Sequence, residues 1–253
     1  MTPINVILST IIYLWPYESF ICDCTNCFKT KNHCMKKSLL VVLGVLVTLS
    51  TIAQDQNQNE KKSFLSVNLG PSIPLGDFAS ATLDNEEAGF SLTGITLDLN
   101  YLYSFHKNVG LAVSGFYNMN GLDISKLREA TGVSSLKMDH WQFIGLAAGP
   151  AFSFDMSPKV MGDVRIMGGL ATANSPDVKT NGTTLIPEDW ATSGLFQAGF
   201  GCRVNIGTNT FFTGGVDYRY LKPTFKVNVD NEIMSAEQNM SMLNLTVGIG
   251  FKF

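Results

Sequence analysis

Residues 244–253, NLTVGIGFKF, alternate strictly between two kinds of side chain. Apolar side chains occupy the odd-numbered positions, which are Leu245, Val247, Ile249, Phe251 and Phe253. The even-numbered positions hold Asn244, Thr246, Gly248, Gly250 and Lys252, which are polar or small. A period of two is typical of a β-strand with unlike faces. This segment therefore predicts a strand with an apolar face, and we expect that face to contact lipid.

The same alternation recurs from residue 64 onward, in segments bounded by Gly, Pro, Asn, Asp or Ser. It predicts eight strands, at residues 64–73, 91–105, 109–121, 140–154, 159–172, 192–206, 210–225 and 240–253. Each segment is long enough for the ~9 to 11 residues that a tilted strand needs to cross a bilayer. An even number of strands would return both ends of this region to the same side of a membrane.

The composition favours membrane strands over both a soluble domain and membrane helices. Charged residues make up 15% of the chain, whereas a soluble domain averages about 25%. The region after residue 63 contains no run of the ~18 apolar residues that a membrane helix requires. The net charge of -3 and the pI near 5.6 give no reason to expect a nucleic acid as partner.

The connections between the predicted strands alternate in length. Short ones lie at 104–109, 154–159 and 205–209, and long polar ones at 75–89, 122–139, 173–191 and 226–239. Outer-membrane barrels have short periplasmic turns and longer extracellular loops. The predicted fold is therefore all-β, a single eight-stranded antiparallel up-and-down transmembrane β-barrel over residues 64–253, with that arrangement of turns and loops.

The N-terminal region is predicted to be an export signal followed by a polar tether. Residues 35–53 combine Lys36 and Lys37 with an apolar run that ends at Ala53, which is the pattern of a signal peptide, and residues 54–63 follow as the tether. A retained membrane anchor is the alternative. Residues 1–34 precede the signal, so we interpret them as an extension that results from a start codon assigned too early. Their clustered cysteines (Cys22, Cys24, Cys27 and Cys34) form a weaker match to a metal site.

The polar face of the strands carries six ions of both signs. These are Asp98, Asp163, Arg165, Arg203, Asp217 and Arg219, three acidic and three basic. Burying ions is costly unless they are paired and hydrogen-bonded. We therefore expect them to form one connected polar network across the lumen. The alternative is a set of isolated surface charges on a soluble barrel.

Aromatic residues gather near the predicted strand ends, as the girdles of membrane barrels require. The predicted periplasmic girdle consists of Phe105, Phe152, Phe154, Phe211, Phe212, Phe251 and Phe253, and the predicted outer girdle of Phe90, Tyr117, Trp141, Trp190, Tyr220 and Phe225.

With its signal, its eight alternating strands and its final Phe253, the chain resembles the small outer-membrane β-barrel proteins, in particular the outer-membrane beta-barrel domain family of Bacteroidota that includes PorT-like proteins. The resemblance covers roughly residues 64–253 and rests on pattern. It implies that the last strand, through Leu245, Val247, Ile249, Phe251 and Phe253, is the recognition signal for the barrel-assembly machinery.

The predicted function is that of a monomeric structural or surface-interaction protein of the outer membrane, in contact with its lipid, that acts through its extracellular loops. Eight strands leave an interior just wide enough for side chains to fill, so a solute pore is not expected. The alternatives are an accessory component of a secretion or envelope-assembly system, a lipid-acting enzyme and a soluble ligand-binding barrel. His140, with Asp139 and Ser134 or Ser135, lacks diagnostic catalytic spacing. We therefore predict no enzyme activity, cofactor or metal site.

Overall fold

The computed structural model describes residues 62–82, 84, 85, 87–131, 136–180, 183–186, 188–229 and 232–253. The predicted N-terminal extension (1–34), the signal peptide (35–53) and the tether up to residue 61 lie outside the described residues. The first strand begins at Ser63, one residue before the predicted start of the barrel.

Strands dominate the described part of the chain. Their bounds are β1 Ser63–Leu75, β2 Gly94–Ser104, β3 Val109–Asn120, β4 Leu136–Met138, β5 Trp141–Ser157, β6 Val160–Asn174, β7 Val178–Thr180, β8 Thr183–Ile186, β9 Trp190–Asn205, β10 Thr210–Leu221, β11 Thr224–Val229, β12 Glu232–Glu237 and β13 Met240–Lys252. A 3-10 helix spans Gly76–Ala79, and helix α1 spans Ile124–Thr131.

Eight long strands close into one antiparallel barrel in the order β1-β13-β10-β9-β6-β5-β3-β2. Each strand pairs with the next barrel strand in sequence, and β1 pairs with β13 to close the ring. The backbones of Ser63 and Phe253 exchange two hydrogen bonds of 3.0 and 2.9 Å at this closure. The prediction of a single eight-stranded up-and-down β-barrel is confirmed.

Two predicted strands are too long. The strand predicted for 210–225 ends at Leu221, and residues after Pro223 start the separate hairpin β11–β12. Proline has no N–H for the ladder, which explains the break. The strand predicted from residue 91 begins at Gly94, because Phe90 has a positive φ of 49° and Ser91 forms only an isolated bridge to Leu122.

All the additional strands lie on the side of the long loops. The hairpin β11–β12 belongs to the last loop, and β4, β7 and β8 form a three-stranded sheet contributed by the two middle loops. The short connections of the opposite rim are tight turns, such as the one in which the Phe105 and His106 N–H groups donate to the Val109 carbonyl. The two rims therefore differ as the connection lengths predict.

The two faces of the wall differ in polarity in the direction that alternation predicts. Outward-facing aliphatic residues are among the most exposed in the barrel: Val247 is 72% exposed, Leu170 64% and Leu146 61%. Inward-facing polar residues such as Asn68 and Thr96 are buried. Among the described residues, no helix is long and apolar enough to cross a membrane.

Neighbouring strands come unusually close at Gly70, an inward-facing residue of β1. A Cβ atom on Gly70 would lie 1.8 Å from the carbonyl oxygen of Leu245 in β13, whereas a Cβ on Gly194 would have no atom within 4 Å. Backbone cannot yield as a flexible side chain can, so only glycine fits at position 70 without a local shift of the closing pair of strands.

We expect Gly70→Ala to lower the free energy of unfolding by about 1 to 3 kcal/mol, because the added methyl overpacks the barrel closure. Gly194→Ala is the matched control and should leave stability nearly unchanged. Denaturant titration of both variants in detergent micelles measures the difference. Equal stability of the two variants would contradict the close approach at Gly70.

Candidate functional site: the barrel lumen

The centre of the lumen is occupied by an ion pair between Arg219 of β10 and Asp98 of β2. Arg219 Nη2 donates to Asp98 Oδ2 at 2.7 Å, and both side chains are fully buried. Arg219 Nη1 also donates to Asn118 Oδ1 at 2.8 Å and to Thr96 Oγ1 at 3.1 Å. A guanidinium has five N–H donors in a rigid fork, so it can bond several strands at once. Here it connects β10 with β2 and β3.

Asp163 and Asp217 are paired with arginines in a second cluster. Asp163 of β6 lies 3.3 Å from Arg203 Nε and 3.4 Å from Arg165 Nε. Arg165 in turn places Nη2 3.2 Å from Asp217 of β10. Arg203 further donates to Ser153 Oγ at 3.1 Å, and its guanidinium lies 4.2 Å from the ring centre of Phe64.

Gln197 of β9 joins the two clusters. Its Nε2 donates to Asp217 Oδ1 at 3.1 Å, and its Oε1 accepts from Arg219 Nε at 3.3 Å. The structure thus brings all six predicted lumen ions into one connected set, with an uncharged amide as the link. Sequence reasoning missed Gln197 as a member, although its parity in β9 matches that of Arg203 and places it on the inward face.

A ladder of amides continues the network on the other side of Arg219. Asn118 Nδ2 donates to Ser72 Oγ and to Asn244 Oδ1, both at 2.8 Å. Asn120 Nδ2 donates to the Ser72 carbonyl at 3.0 Å. Because these bonds cross from β3 to β1 and β13, the polar network spans the lumen from wall to wall.

The network is electrically balanced, with three carboxylates and three guanidiniums. Balance and direct pairing offset the desolvation that burying six ions costs. No cluster of three or more His, Cys, Asp or Glu residues able to hold a metal ion occurs among the described residues. The arrangement can therefore brace and fill the barrel.

The lumen is not polar throughout. Near the long loops it is filled by apolar side chains, which include Phe78, Phe143, Leu221, Met240 and Met242. Phe78 comes from the 3-10 helix of the first loop and packs edge-on against Phe143 at 5.6 Å and Trp141 at 5.7 Å. The first loop therefore folds into the barrel mouth and closes it.

Four of the predicted girdle aromatics belong to the interior instead. Phe90, Trp141 and Phe225 of the predicted outer girdle and Phe211 of the periplasmic one are buried. Trp141 donates from Nε1 to the Gly89 carbonyl at 3.0 Å, which explains its inward direction. Other members are exposed on the outer wall: Phe105, Phe152, Phe212 and Phe251 at the short-turn rim, and Tyr117, Trp190 and Tyr220 toward the loops.

The predicted assembly-signal residues lie on the outside of β13 and at its end. Leu245, Val247, Ile249 and Phe251 are exposed on the wall, and Phe253 is half-buried beside Ser63. Their role in assembly stays a prediction. His140 and Asp139 are exposed at the loop side, and Ser134 and Ser135 lie outside the described residues.

A cavity of about 20 Å³ remains in the lumen beside Arg203, Asp163 and Asn100. One water needs ~10 to 15 Å³ on this measure, so the cavity has room for about one water molecule. Several buried polar atoms beside it, including Asn100 Nδ2 and Arg203 Nη1, have no protein partner. The space is far too small for a dissolved metabolite.

On the loop side, Lys222 and Glu237 form an exposed ion pair of 2.6 Å. The hydrogen bond to the Glu237 carboxylate raises the pKa of the Lys222 ammonium above its ordinary value, because it favours the charged form. This pair connects the end of β10 with β12 outside the barrel. It provides a solvent-exposed counterpart to the buried pair of Arg219 and Asp98.

No family model matches the chain, and no curated protein matches it. Among solved structures it is similar to Neisserial surface protein A, with 15% identity, coverage of 76% of this chain and 97% of that one, and a TM-score of 0.47. It is similar to a major outer membrane protein of Thermus thermophilus, with 11% identity, coverage of 76% of this chain and 99% of that one, and a TM-score of 0.48. It is also similar to Ail, the attachment invasion locus protein of Yersinia pestis, with 16% identity, coverage of 76% of this chain and 99% of that one, and a TM-score of 0.43.

We expect Arg219→Met to lower the free energy of unfolding by about 3 to 5 kcal/mol, because it leaves the Asp98 carboxylate buried without its partner. The double variant Arg219→Met/Asp98→Leu should recover at least half of that loss. Denaturant unfolding in micelles, followed by tryptophan fluorescence, provides the measurement.

Lys222→Met is the control for this prediction, since it breaks an ion pair that water already solvates, and no measurable change is expected. A loss in Arg219→Met no larger than that of Lys222→Met would contradict a bracing role for the network. A double variant less stable than the single one would contradict it as well.

Proposed function

We propose that this chain is an integral outer-membrane protein that acts as a structural or surface-interaction protein through its long loops and does not conduct solutes. The observation that supports the proposal is the polarity of the two faces of the barrel wall, which is reversed relative to that of a soluble barrel. Ions and amides are buried within the barrel, while aliphatic and aromatic side chains cover the outside.

The outer surface is incompatible with water as its surroundings. Ile166, Leu170 and Val164 are all exposed along one face of β6, and their neighbours on β5 and β9 are apolar as well. Soluble monomers rarely expose a continuous apolar patch beyond about 300 to 600 Å². A band of this kind around a whole barrel is expected where hydrocarbon surrounds the protein. A closed barrel also satisfies the backbone hydrogen bonds of its strands within the wall, as hydrocarbon requires. The band also argues against the soluble ligand-binding barrel, whose apolar residues would face inward.

The filled lumen supports a role other than a solute pore. Arg219, Phe78, Phe143 and Met242 are fully buried inside it. The cavity near Arg203 has room for only about one water molecule. We therefore expect the functional surface to be the part of the protein that is exposed to water and not covered by lipid.

The long loops offer the accessible surface. They carry strands of their own, the hairpin β11–β12 and the sheet of β4, β7 and β8, which are separate from the barrel sheet. Loops positioned by a rigid scaffold commonly carry binding functions. We therefore assign recognition to the loop side and propose a monomeric barrel, with the barrel-assembly machinery as its partner during biogenesis.

The second candidate function is that of an accessory component of a secretion or envelope-assembly system. It rests on the resemblance to the PorT-like members of the Bacteroidota outer-membrane barrel family. Deletion of the gene separates the two candidates: loss of exported cargo together with co-purifying envelope proteins supports the accessory role, and neither is expected for a structural protein. A lipid-acting enzyme is not favoured, because His140, with Asp139 and Ser134 or Ser135, lacks diagnostic catalytic spacing.

The membrane proposal predicts a large effect of one charge on the outer wall. Ile166 lies near the middle of β6 and is 57% exposed. Ile166→Lys should lower the free energy of unfolding by about 2 to 4 kcal/mol in lipid vesicles, the cost of a lysine near the bilayer midplane. On a soluble barrel the same lysine would face water and cost little.

Leu92→Lys is the matched control, because Leu92 is 46% exposed but lies on the loop side outside the barrel strands. It should leave stability nearly unchanged. Equal, small effects of the two lysines would overturn the membrane proposal. So would recovery of the mature chain in the soluble periplasm or in the medium.

A further inference from the structure

Four lysines form a ring at the short-turn rim of the barrel. We call Lys62, Lys107, Lys159 and Lys252 the lysine ring. The first three are exposed, and Lys252 is half-buried and donates from Nζ to Asn205 Oδ1 at 3.1 Å. All four belong to the rim opposite the long loops.

The four lysines are distributed around the whole circumference, one at each junction between neighbouring hairpins. The Lys62 carbonyl accepts from Ser104 N at the β1–β2 junction, and Lys252 N donates to the Asn209 carbonyl at the β13–β10 junction. The Lys159 carbonyl accepts from Asn205 N at the β6–β9 junction. The Lys107 ammonium lies 3.1 Å from Asp155 at the β3–β5 junction.

The charge of this rim is positive. Asp155 is the one acidic side chain among the described residues of the rim, and it is already paired with Lys107. The loop side has the opposite balance: the loop segments 76–93, 121–140, 175–189 and 222–239 contain thirteen acidic and six basic residues. The molecule is therefore polarised along the barrel axis.

Exposed aromatic rings lie next to the lysine ring along the wall. Phe105 precedes Lys107 by two residues, and exposed Phe152 of β5 pairs with Val109, two residues after Lys107. Aromatic girdles lie at the boundary between acyl chains and headgroups. A lysine just beyond such a girdle extends its ammonium to the depth of the lipid phosphates.

We propose that the three exposed lysines of the ring, Lys62, Lys107 and Lys159, bind anionic phospholipid headgroups, through their phosphodiester oxygens, in the leaflet that surrounds the short turns. Lys252 is not included, because it shares the inward parity of β13. The inference rests on the proposed membrane location. The ammonium is a compact point charge on a flexible stem, which suits a mobile phosphate with no fixed geometry. The spacing of these three lysines at separate junctions fits lipids around the barrel, whereas one docked protein would need a continuous patch.

The test is lipid selectivity measured by electron spin resonance. The chain is reconstituted into phosphatidylcholine vesicles with a trace of spin-labelled phosphatidylglycerol or spin-labelled phosphatidylcholine, and the motionally restricted fraction of each label is compared. At low salt the native chain should prefer phosphatidylglycerol by about 3-fold, since each lysine near a membrane surface attracts anionic lipid. The preference should disappear at about 1 M salt, where the Debye length is ~3 Å.

Three sets of variants assign the preference to the lysine ring. Lys62→Gln/Lys107→Gln/Lys159→Gln should reduce the ratio to near one, and it spares Lys252, whose hydrogen bond contributes to the wall. Asp155→Asn should increase the ratio, because it frees Lys107. The matched control, Lys179→Gln/Lys222→Gln/Lys226→Gln on the loop side, should keep the native ratio.

A native ratio near one at low salt would overturn the proposal, and so would an unchanged ratio in the ring variant or a lost preference in the loop variant. These failures are distinguishable from failure of the membrane proposal. In that case neither label, phosphatidylcholine included, would show a restricted component.

Discussion

The pairing of Arg219 with Asp98 at the centre of the lumen is the interaction on which the rest of the structure depends. A ring of eight strands encloses a space that side chains must fill, and here the filling is ionic. An unpaired ion in that space would be strongly destabilising, so each inward charge requires a partner on another strand. Arg219 meets this requirement across three strands at once. The arrangement of the strands and the pairing of the lumen side chains therefore depend on each other.

The inward ions allow the outward face to be apolar. Strand side chains alternate, so a barrel whose polar residues bond each other inside leaves mainly aliphatic and aromatic residues for the outside. At the barrel closure, the backbone of β13 lies so close to Gly70 that it occupies the place of a Cβ atom at this position. The closed lumen and the lipid-compatible exterior are two results of one pattern.

The ends of the barrel differ in chemistry as much as in shape. At the loop side Phe78 and Trp141 close the mouth with an apolar cluster, and short strands extend beyond it. At the opposite rim, tight turns carry exposed aromatic rings and lysines. A molecule polarised in this way has folded loops on one side and a charged rim on the other. Apart from the small cavity beside Arg203, side chains fill the described part of its interior.

The sequence by itself determined the barrel, its eight strands, its two unlike rims and the inward direction of all six ions, because strand alternation is a local property that the chain expresses within a few residues. The tertiary structure alone decided how those ions connect, since only strand register places Gln197 between Asp217 and Arg219. It also decided that Phe78, Phe90 and Phe225 turn inward. These residues lie in or beside loops, where no period relates a residue's position to its direction. The path of the loop across the barrel mouth, and not alternation, sets which side chains are buried there.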